Sequence, residues 1–452
     1  MALHKLLLVN PFLNNKFNLI PPVSLGVIAA LTPKEWDVEI LDEAIDAIDY
    51  SIKYSLVAIL TNTLNIERTY KICKEFKSKS IPVILGGWHS SSVPDESIIF
   101  CDSVLIGNAE HIWDKVIRDV ENNNLQKRYF STNNEFDFVS PDNSYFKEKY
   151  FTNAIETSRG CSNNCSYCGI HIIDHQSHKR KSVEQVINEI TACKESHFFI
   201  VDNNFYGNDD EYLTTLFEEI IRRKIKKKWS TPISVNFFKN EKLVSLASKS
   251  GAALFLIGFD TDTRSNLSKL KKENRNVSAD IFDEYQRIVK LCHKYKILVS
   301  SNVMIGLEDD TEESINNRIA FFKRLKLDFC IGVIMTPLPN TVLFNKLLKG
   351  GHLNFLNFPE DWKQYSYSNN VIKHDNISSE KLNELVRSAN KSLSNTFIST
   401  MKSFIISKSF TSSLLYYYQC KQFANYNNKL FDYFFYLFSN RKVFFKKKKV
   451  NL

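Results

Sequence analysis

The 452-residue chain is marked first by what it lacks. It has no uninterrupted apolar run of roughly eighteen residues, so no membrane-crossing helix is expected. The opening MALHKLLLVNPF is too short and wrongly flanked for a secretion signal, since its apolar run alternates into a strand and meets Pro11. A cytoplasmic protein is expected. Nine cysteines, an odd and mostly scattered set, exclude a disulfide framework, and Cys73, Cys101, Cys193, Cys292, Cys330 and Cys420 read as packing residues. A continuous basic stripe is missing too. The formal charge of +9 rests on two clusters, RRKIKKK at 222–228 and RKVFFKKKK at 441–449, so no nucleic-acid partner is expected. Nor does any internal repeat appear at the period of roughly 20 to 50 residues that marks solenoids.

What is present is alternation. KLLLVNPF, DVEILD, LVAILTNT, PVILGG and SVLIGN are strand-like, and helical patterns such as VSLGVIAALTP, NIERTYKICKEFKSK and AEHIWDKVIRDV lie between or after them. Residues 1–122 therefore predict an α/β domain with a doubly wound parallel sheet. Such sheets bind ligands beyond the carboxyl ends of their strands, which singles out Asn10, Thr61, Thr63, Gly86, Gly87, His89, Gly107 and Glu110. The polar stretch 123–150 reads as a linker. From 151 to 340 the alternation starts afresh, with NAIETS, HFFIVD, PISVNF, ALFLIGFD, ILVSSNVMIG and DFCIGVIMTP as strands. Six strand-helix units are too few for a closed eight-fold barrel and predict a partial (β/α)6 barrel, with its chemistry at the strand carboxyl ends. Residues 341–452 read as a helical C-terminal region ending in the basic tail.

Three thiols fall within eight residues, in CSNNCSYC, directly after the first barrel strand. Thiolates spaced this way can hold three irons of a 4Fe-4S cube, and with no fourth cysteine nearby one iron stays open to a ligand. The alternative is a zinc site made by Cys161, Cys165, Cys168 and His171. A zinc knot normally occupies a small loop-rich module of its own, whereas this cluster sits on a barrel loop. Gly160 and Gly169 flank it, and are expected to let the backbone wrap closely around a cube.

The C-x3-C-x-aromatic-C pattern resembles that of the radical S-adenosylmethionine (SAM) enzymes. FIVDNNFYGN, LIGFDT, VMIGLEDDTEES and TPLPNTVLF look like successive strand-end motifs of that family's cobalamin-binding branch, and VILGGWHSSSVPDE and SVLIGNAEHIW resemble its amino-terminal cobalamin domain. The resemblance implies a cobalamin-binding type of first domain and three cofactors: a 4Fe-4S cluster, SAM and cobalamin. It implies that Cys161, Cys165 and Cys168 ligate the cluster, whose open iron chelates SAM. An electron from a donor such as flavodoxin or ferredoxin then yields a radical able to attack an unactivated carbon. By the same resemblance Tyr167 lies beside adenine, Asp202 and Asn203 face the methionine amino group, and Asn236 and Asp260 bond ribose or carboxylate. Val303, Ile305 and Leu338 would wall the adenine.

This sequence also departs from the family. VDNN stands where paired acids are commoner, GNAE where a glycine-glutamate repeat is usual, and GLEDDT lacks the usual proline and glycine. An Asp-x-His-x-x-Gly motif is missing, so His89 is expected to contact or pack against the corrin rather than ligate cobalt. The reaction the resemblance implies is methylation of an unactivated carbon in a small-molecule or lipid-like metabolite; ring closure or rearrangement without methyl transfer uses the same motifs. From a different class, the chain would be a zinc-stabilised binding module. No catalytic acid or base is singled out. The aromatic tail, ending in lysines, would allow weak contact with a membrane surface.

Overall fold

Short runs of Val, Ile and Leu form strands buried on both faces, the hallmark of a parallel sheet covered by helices. The computed structural model describes residues 4–12, 20–131, 137–146, 150, 152–174, 177–272 and 280–393. Strands β1 (Lys5–Asn10), β2 (Asp37–Asp42), β3 (Leu56–Thr61), β4 (Val83–Gly87), β5 (Ser103–Ile106) and β6 (Arg128–Phe130) form one sheet. All pair in parallel, in the order β2-β1-β3-β4-β5-β6. Between them run α1 (Val23–Leu31), α2 (Ile66–Lys77), α3 (Trp88–Ser92), α4 (Pro94–Phe100) and α5 (Trp113–Glu121). Leu6, Leu8, Ile84 and Leu105 pack with α1 and α5, while Leu7, Val9, Val57 and Leu85 turn to the opposite face, with α2. This is the doubly wound arrangement, and the order reverses between β1 and β3. Strand β6 lies inside the segment expected to be a linker; so does Phe146, which together with Pro141 packs so close to Gly26 of α1 that no side chain fits there.

The second unit contains β7 (Asn153–Ile155), β8 (Ser158–Gly160), α6 (Ile170–Asp174), β9 (His178–Arg180), α7 (Val183–Ala192), β10 (His197–Ile200) and α8 (Asp210–Arg222). It continues with β11 (Lys228–Ile233), α9 (Glu241–Ser250), β12 (Ala252–Ile257), α10 (Arg264–Lys269), α11 (Ile281–Lys294), β13 (Leu298–Ile305), α12 (Glu312–Leu325) and β14 (Phe329–Ile334). Six of these strands make a parallel sheet in strict sequential order, β7-β10-β11-β12-β13-β14, while β8 and β9 form a separate antiparallel pair. Helices start where side chains accept the first free N–H groups: Ser182 before α7, Asp209 before α8, Asn240 before α9 and Thr311 before α12. At the amino end of β10, the buried His197 is held between Thr152 Oγ1 at 3.1 Å and Ser230 Oγ at 3.0 Å.

Beyond β14 come α13 (Val342–Lys349) and α14 (Ser379–Leu393). Helix α14 packs on β14 and α12 as the outer layer of the second sheet. Leu343, Phe344, Trp362 and Tyr365 instead join Leu7, Val9 and Val57 in the core beneath the first sheet. The C-terminal region is therefore a shared cover for both units. Residues 394–452, with Cys420 and the basic tail, lie outside the described residues. Among the described residues no helix is long and apolar enough to cross a membrane. The other basic cluster sits at a helix end, where Arg222 and Arg223 pair with Glu219 and Glu184.

Candidate active site

The cysteine loop leaves β8 at Gly160, whose φ of 87° is the left-handed conformation that glycine adopts without strain. It is stitched to its surroundings by its backbone: Ser166 N–H donates to Leu270 O at 2.9 Å, and Leu343 N–H donates to Ser166 O at 2.8 Å. Cys161 is buried, and Cys165 and Cys168 are half-buried. Burial pushes the Cys165 thiol up to about 11 and raises Cys168, partly offset by the Lys272 ammonium. Such thiols keep their protons until a metal replaces them. Among the described residues no three His, Cys, Asp or Glu gather tightly enough for one metal ion.

Tyr167, inside this loop, is half-buried, and its hydroxyl donates to Asp260 Oδ2 at 3.0 Å. Burial raises its phenol well above the ordinary value. Asp260 follows β12 with a φ of 59°, pairs with Lys272, and bridges to Val303. Tyr167 and Asp260 are thus brought together from 93 residues apart.

Asp202, just past β10, is fully buried, and its carboxylate accepts the Thr157 N–H at 2.7 Å, the Thr157 hydroxyl at 2.5 Å and the Ser158 hydroxyl at 2.6 Å. Burial raises its pKa to about 6 against these bonds. Its oxygens tie β10 to the turn between β7 and β8. Asn203 Oδ1 accepts the Gly160 N–H at 3.2 Å. The neighbouring Asn204, which sequence reasoning did not single out, has both amide atoms buried without a partner among the described residues, and Ser234, past β11, has a buried hydroxyl in the same state. Two adjacent strand ends therefore present polar groups with no protein partner, the fit expected for a polar ligand. The signal lay in the Asx run VDNN, whose third member sequence reasoning passed over.

Other residues fall elsewhere. Asn236 lies in the 3-10 turn Val235–Lys239, and Leu338 is half-buried in the turn after β14, where its carbonyl accepts from Thr341. Val303 and Ile305 are fully buried among the outer helices, so they do not wall the inner face. Alternation along β13 gives that face to Leu298, Ser300, Asn302 and Met304.

A cavity of about 500 Å³ opens where the first sheet's strand order reverses and reaches across to the second unit. Leu8, Ala58, Ile84 and Leu105 form apolar wall, joined by Ile170 and Val201 from the second unit. Thr61, Gly86, Gly87, Gly107 and Glu110 line it; Asn10, Thr63 and His89 do not. His89 is fully buried, bonded to Thr63 Oγ1 at 3.1 Å, 3.6 Å from Glu96, and edge-on to Trp362. It locks α3 in place rather than facing the cavity. A Cβ at Gly86 would meet only Leu105 Cβ, at 3.9 Å, an ordinary contact, whereas Gly87, at a φ of 111°, would drive one to within 2.6 Å of Thr61 O.

Two residues missed in the sequence join the cavity to the cysteine loop. Arg159 pairs with Glu110 at 2.6 Å and Glu156 at 2.7 Å, and also bonds Asn108. The Trp88 indole N–H donates to Gly169 O at 2.8 Å. Gly169 is thus pressed against an indole, a contact that leaves no room for a side chain there. Neither residue belongs to a local pattern.

Residues 155–322 match the Radical SAM superfamily. These residues form a radical SAM domain. The chain is 27% identical over 379 residues to bacteriochlorophyllide d C-12(1)-methyltransferase of Chlorobaculum tepidum, covering 80% of each protein. It is 25% identical to hopanoid C-2 methylase of Rhodopseudomonas palustris, covering 76% of this chain and 67% of that protein. Its fold is similar to that of the radical SAM methyltransferase TsrM of Kitasatospora setae, solved with cobalamin and a 4Fe-4S cluster, with a TM-score of 0.66, 16% identity, and coverage of 93% of this chain and 99% of that one.

Proposed function

We propose that this protein is a cobalamin-dependent radical SAM C-methyltransferase acting on an apolar polycyclic metabolite. The observation that carries the reading is the arrangement of cavity and loop: a largely apolar cavity at the first sheet's switch point, lined by Arg159 and Ile170, the residues just before and just after the segment that bears the three thiols. Relatives named for methylating a bacteriochlorophyllide and a hopanoid support the substrate class. In this reading the second sheet is a partial barrel, the first unit is the cobalamin domain, and Cys161, Cys165 and Cys168 hold the cluster. When bound, the three cofactors supply one-electron chemistry and a transferable methyl group.

The chain's own residues bind, orient and exclude water. Asn204 and Ser234 offer unpartnered polar atoms to the polar end of SAM. Asp202 stiffens the β7–β8 turn that launches the cysteine loop, and Tyr167 anchors that loop to Asp260. Apolar walls on both sides of the cavity exclude water from a flat ligand.

Anaerobic reconstitution tests the reading. About one 4Fe-4S cluster per chain is expected from three thiolates on one loop, together with bound corrin when hydroxocobalamin is supplied. Alanine at any one of Cys161, Cys165 or Cys168 removes the cluster, while Cys292→Ala, buried beneath the helix layer, keeps it. A full cluster in Cys165→Ala, or no corrin bound by the wild-type protein, overturns the proposal.

A further inference from the structure

The cysteine loop is gripped at both ends by the first unit, and the residues that grip it also line the cavity. At its start, Arg159, two residues before Cys161, is held by Glu110 and Asn108. At its end, Gly169, directly after Cys168, lies under the Trp88 indole. A Cβ on Gly169 would stand 1.8 Å from Trp88 Cζ2, so there is no slack in this contact. Trp88, Arg159, Glu110 and Asn108 all border the cavity.

Trp88 stands on a rigid shelf. Before it, Gly87 occupies a left-handed conformation closed to other residues by the Thr61 carbonyl. After it, His89 is fixed by Thr63 and packed on Trp362, while Glu96 beside it accepts hydrogen bonds from Tyr70 at 2.6 Å and from Trp362 at 2.9 Å. Ser90 N–H donates to Thr61 Oγ1 at 3.1 Å. The backbone that carries the indole is fixed on both sides, so the loop packs against a ring mounted on a rigid base. A ligand pressing on the cavity face of Trp88 therefore acts on a group whose other contact is the cluster-bearing loop.

We propose that Trp88 is a positioning residue that couples the cavity to the cysteine loop, with the Arg159–Glu110 pair as the second point of grip. Filling the cavity with a corrin tightens the loop's hold on its cluster, and by reciprocity the cluster tightens the cavity's hold on the corrin. The inference rests on the reading of the cavity as the cobalamin site. It assigns Trp88 no contact with reacting atoms.

The test measures hydroxocobalamin affinity in the full-length protein with and without the reconstituted cluster, apart from any turnover. Wild type is expected to bind more tightly when the cluster is present, on the order of tenfold, within the usual range of coupling between sites. In Trp88→Ala the two affinities converge to within about twofold, while Trp88→Phe, which keeps a ring but loses the N–H, retains part of the difference. Gly169→Ala is expected to lose most of its cluster in the wild-type background and to regain it when combined with Trp88→Ala, because the truncated residue leaves room for the methyl. A merely structural tryptophan would lower stability without changing the affinity ratio. Equal affinities with and without cluster in wild type, an unchanged ratio in Trp88→Ala, or no rescue of Gly169→Ala overturns the coupling while leaving the cobalamin reading intact. Failure of wild type to bind any corrin overturns both.

Discussion

The two parallel sheets have the same number of strands and differ in how their helices begin. None of α1 to α5 has a side-chain N-cap hydrogen bond, whereas every helix from α7 to α13 has one. Each cap contributes roughly 1 kcal/mol and encodes a helix start in local sequence. The second unit thus defines its own loops, and its strands follow in plain sequential order. In the first unit, helix starts are set by burial against the sheet, and the order reverses at β1 and β3, where the cavity opens. One unit supplies a preformed crevice. The other supplies well-anchored strand ends carrying polar groups, and the cysteine loop runs between them.

The largest effect separates the two units by ligand. Gly86 lines the cavity and a Cβ there meets only Leu105 at 3.9 Å, so the ring of Gly86→Phe should occupy the cavity and abolish corrin binding while the iron and sulfide content of the cysteine loop is unchanged. Gly87→Ala should instead cost about 1–3 kcal/mol of folding stability, because its backbone conformation excludes a side chain. If Gly86→Phe binds corrin normally, the crevice is not the site and the division of labour fails.

A second effect concerns the polar ends of β10, which the first sheet does not match. Asp202 titrates near 6 when folded against an ordinary 3.8, so its contribution to stability declines as pH rises through that window. His197 titrates near 4 against an ordinary 6.5, both because of burial, and its contribution grows as pH rises over nearly the same range. Each shift corresponds to about 3 kcal/mol. The two nearly cancel, so wild-type stability should be almost flat from about pH 4 to 6.5. Denaturant unfolding of Asp202→Asn should show stability rising with pH across this range, and His197→Gln should show it falling. Parallel profiles for the two variants would contradict the assignment.

The smallest effect is that of the loop anchor. Tyr167→Phe removes one half-buried hydrogen bond to Asp260 and should lower stability by about 1 kcal/mol with the cluster still bound. A change in cluster content as large as that of a cysteine variant would place Tyr167 among the groups that hold the cluster.

Much of this was legible in the sequence because it is local. The thiol loop, the strand-helix alternation and the capped helices of the second unit are written in neighbouring residues. Val303 and Ile305 show where this ends: period two identifies β13, but with both faces buried it does not say which set of side chains faces inward. Asp202 reads as a strand-end acid, yet its oxygens are consumed by Thr157 and Ser158 just after β7, and Asn204 and Ser234 are among the buried polar groups left without a partner by the described residues.

By itself, then, the amino-acid sequence determined the class of chemistry and the order of the elements, since spacing and patterning act over a few residues. Only the tertiary structure decided that the C-terminal region covers the first sheet, that His89 is a buried strut, and that Trp88 and Glu110 reach residues 81 and 49 positions away to hold the cysteine loop. Those contacts depend on two units meeting face to face. No local pattern encodes a surface whose partner lies in another part of the chain.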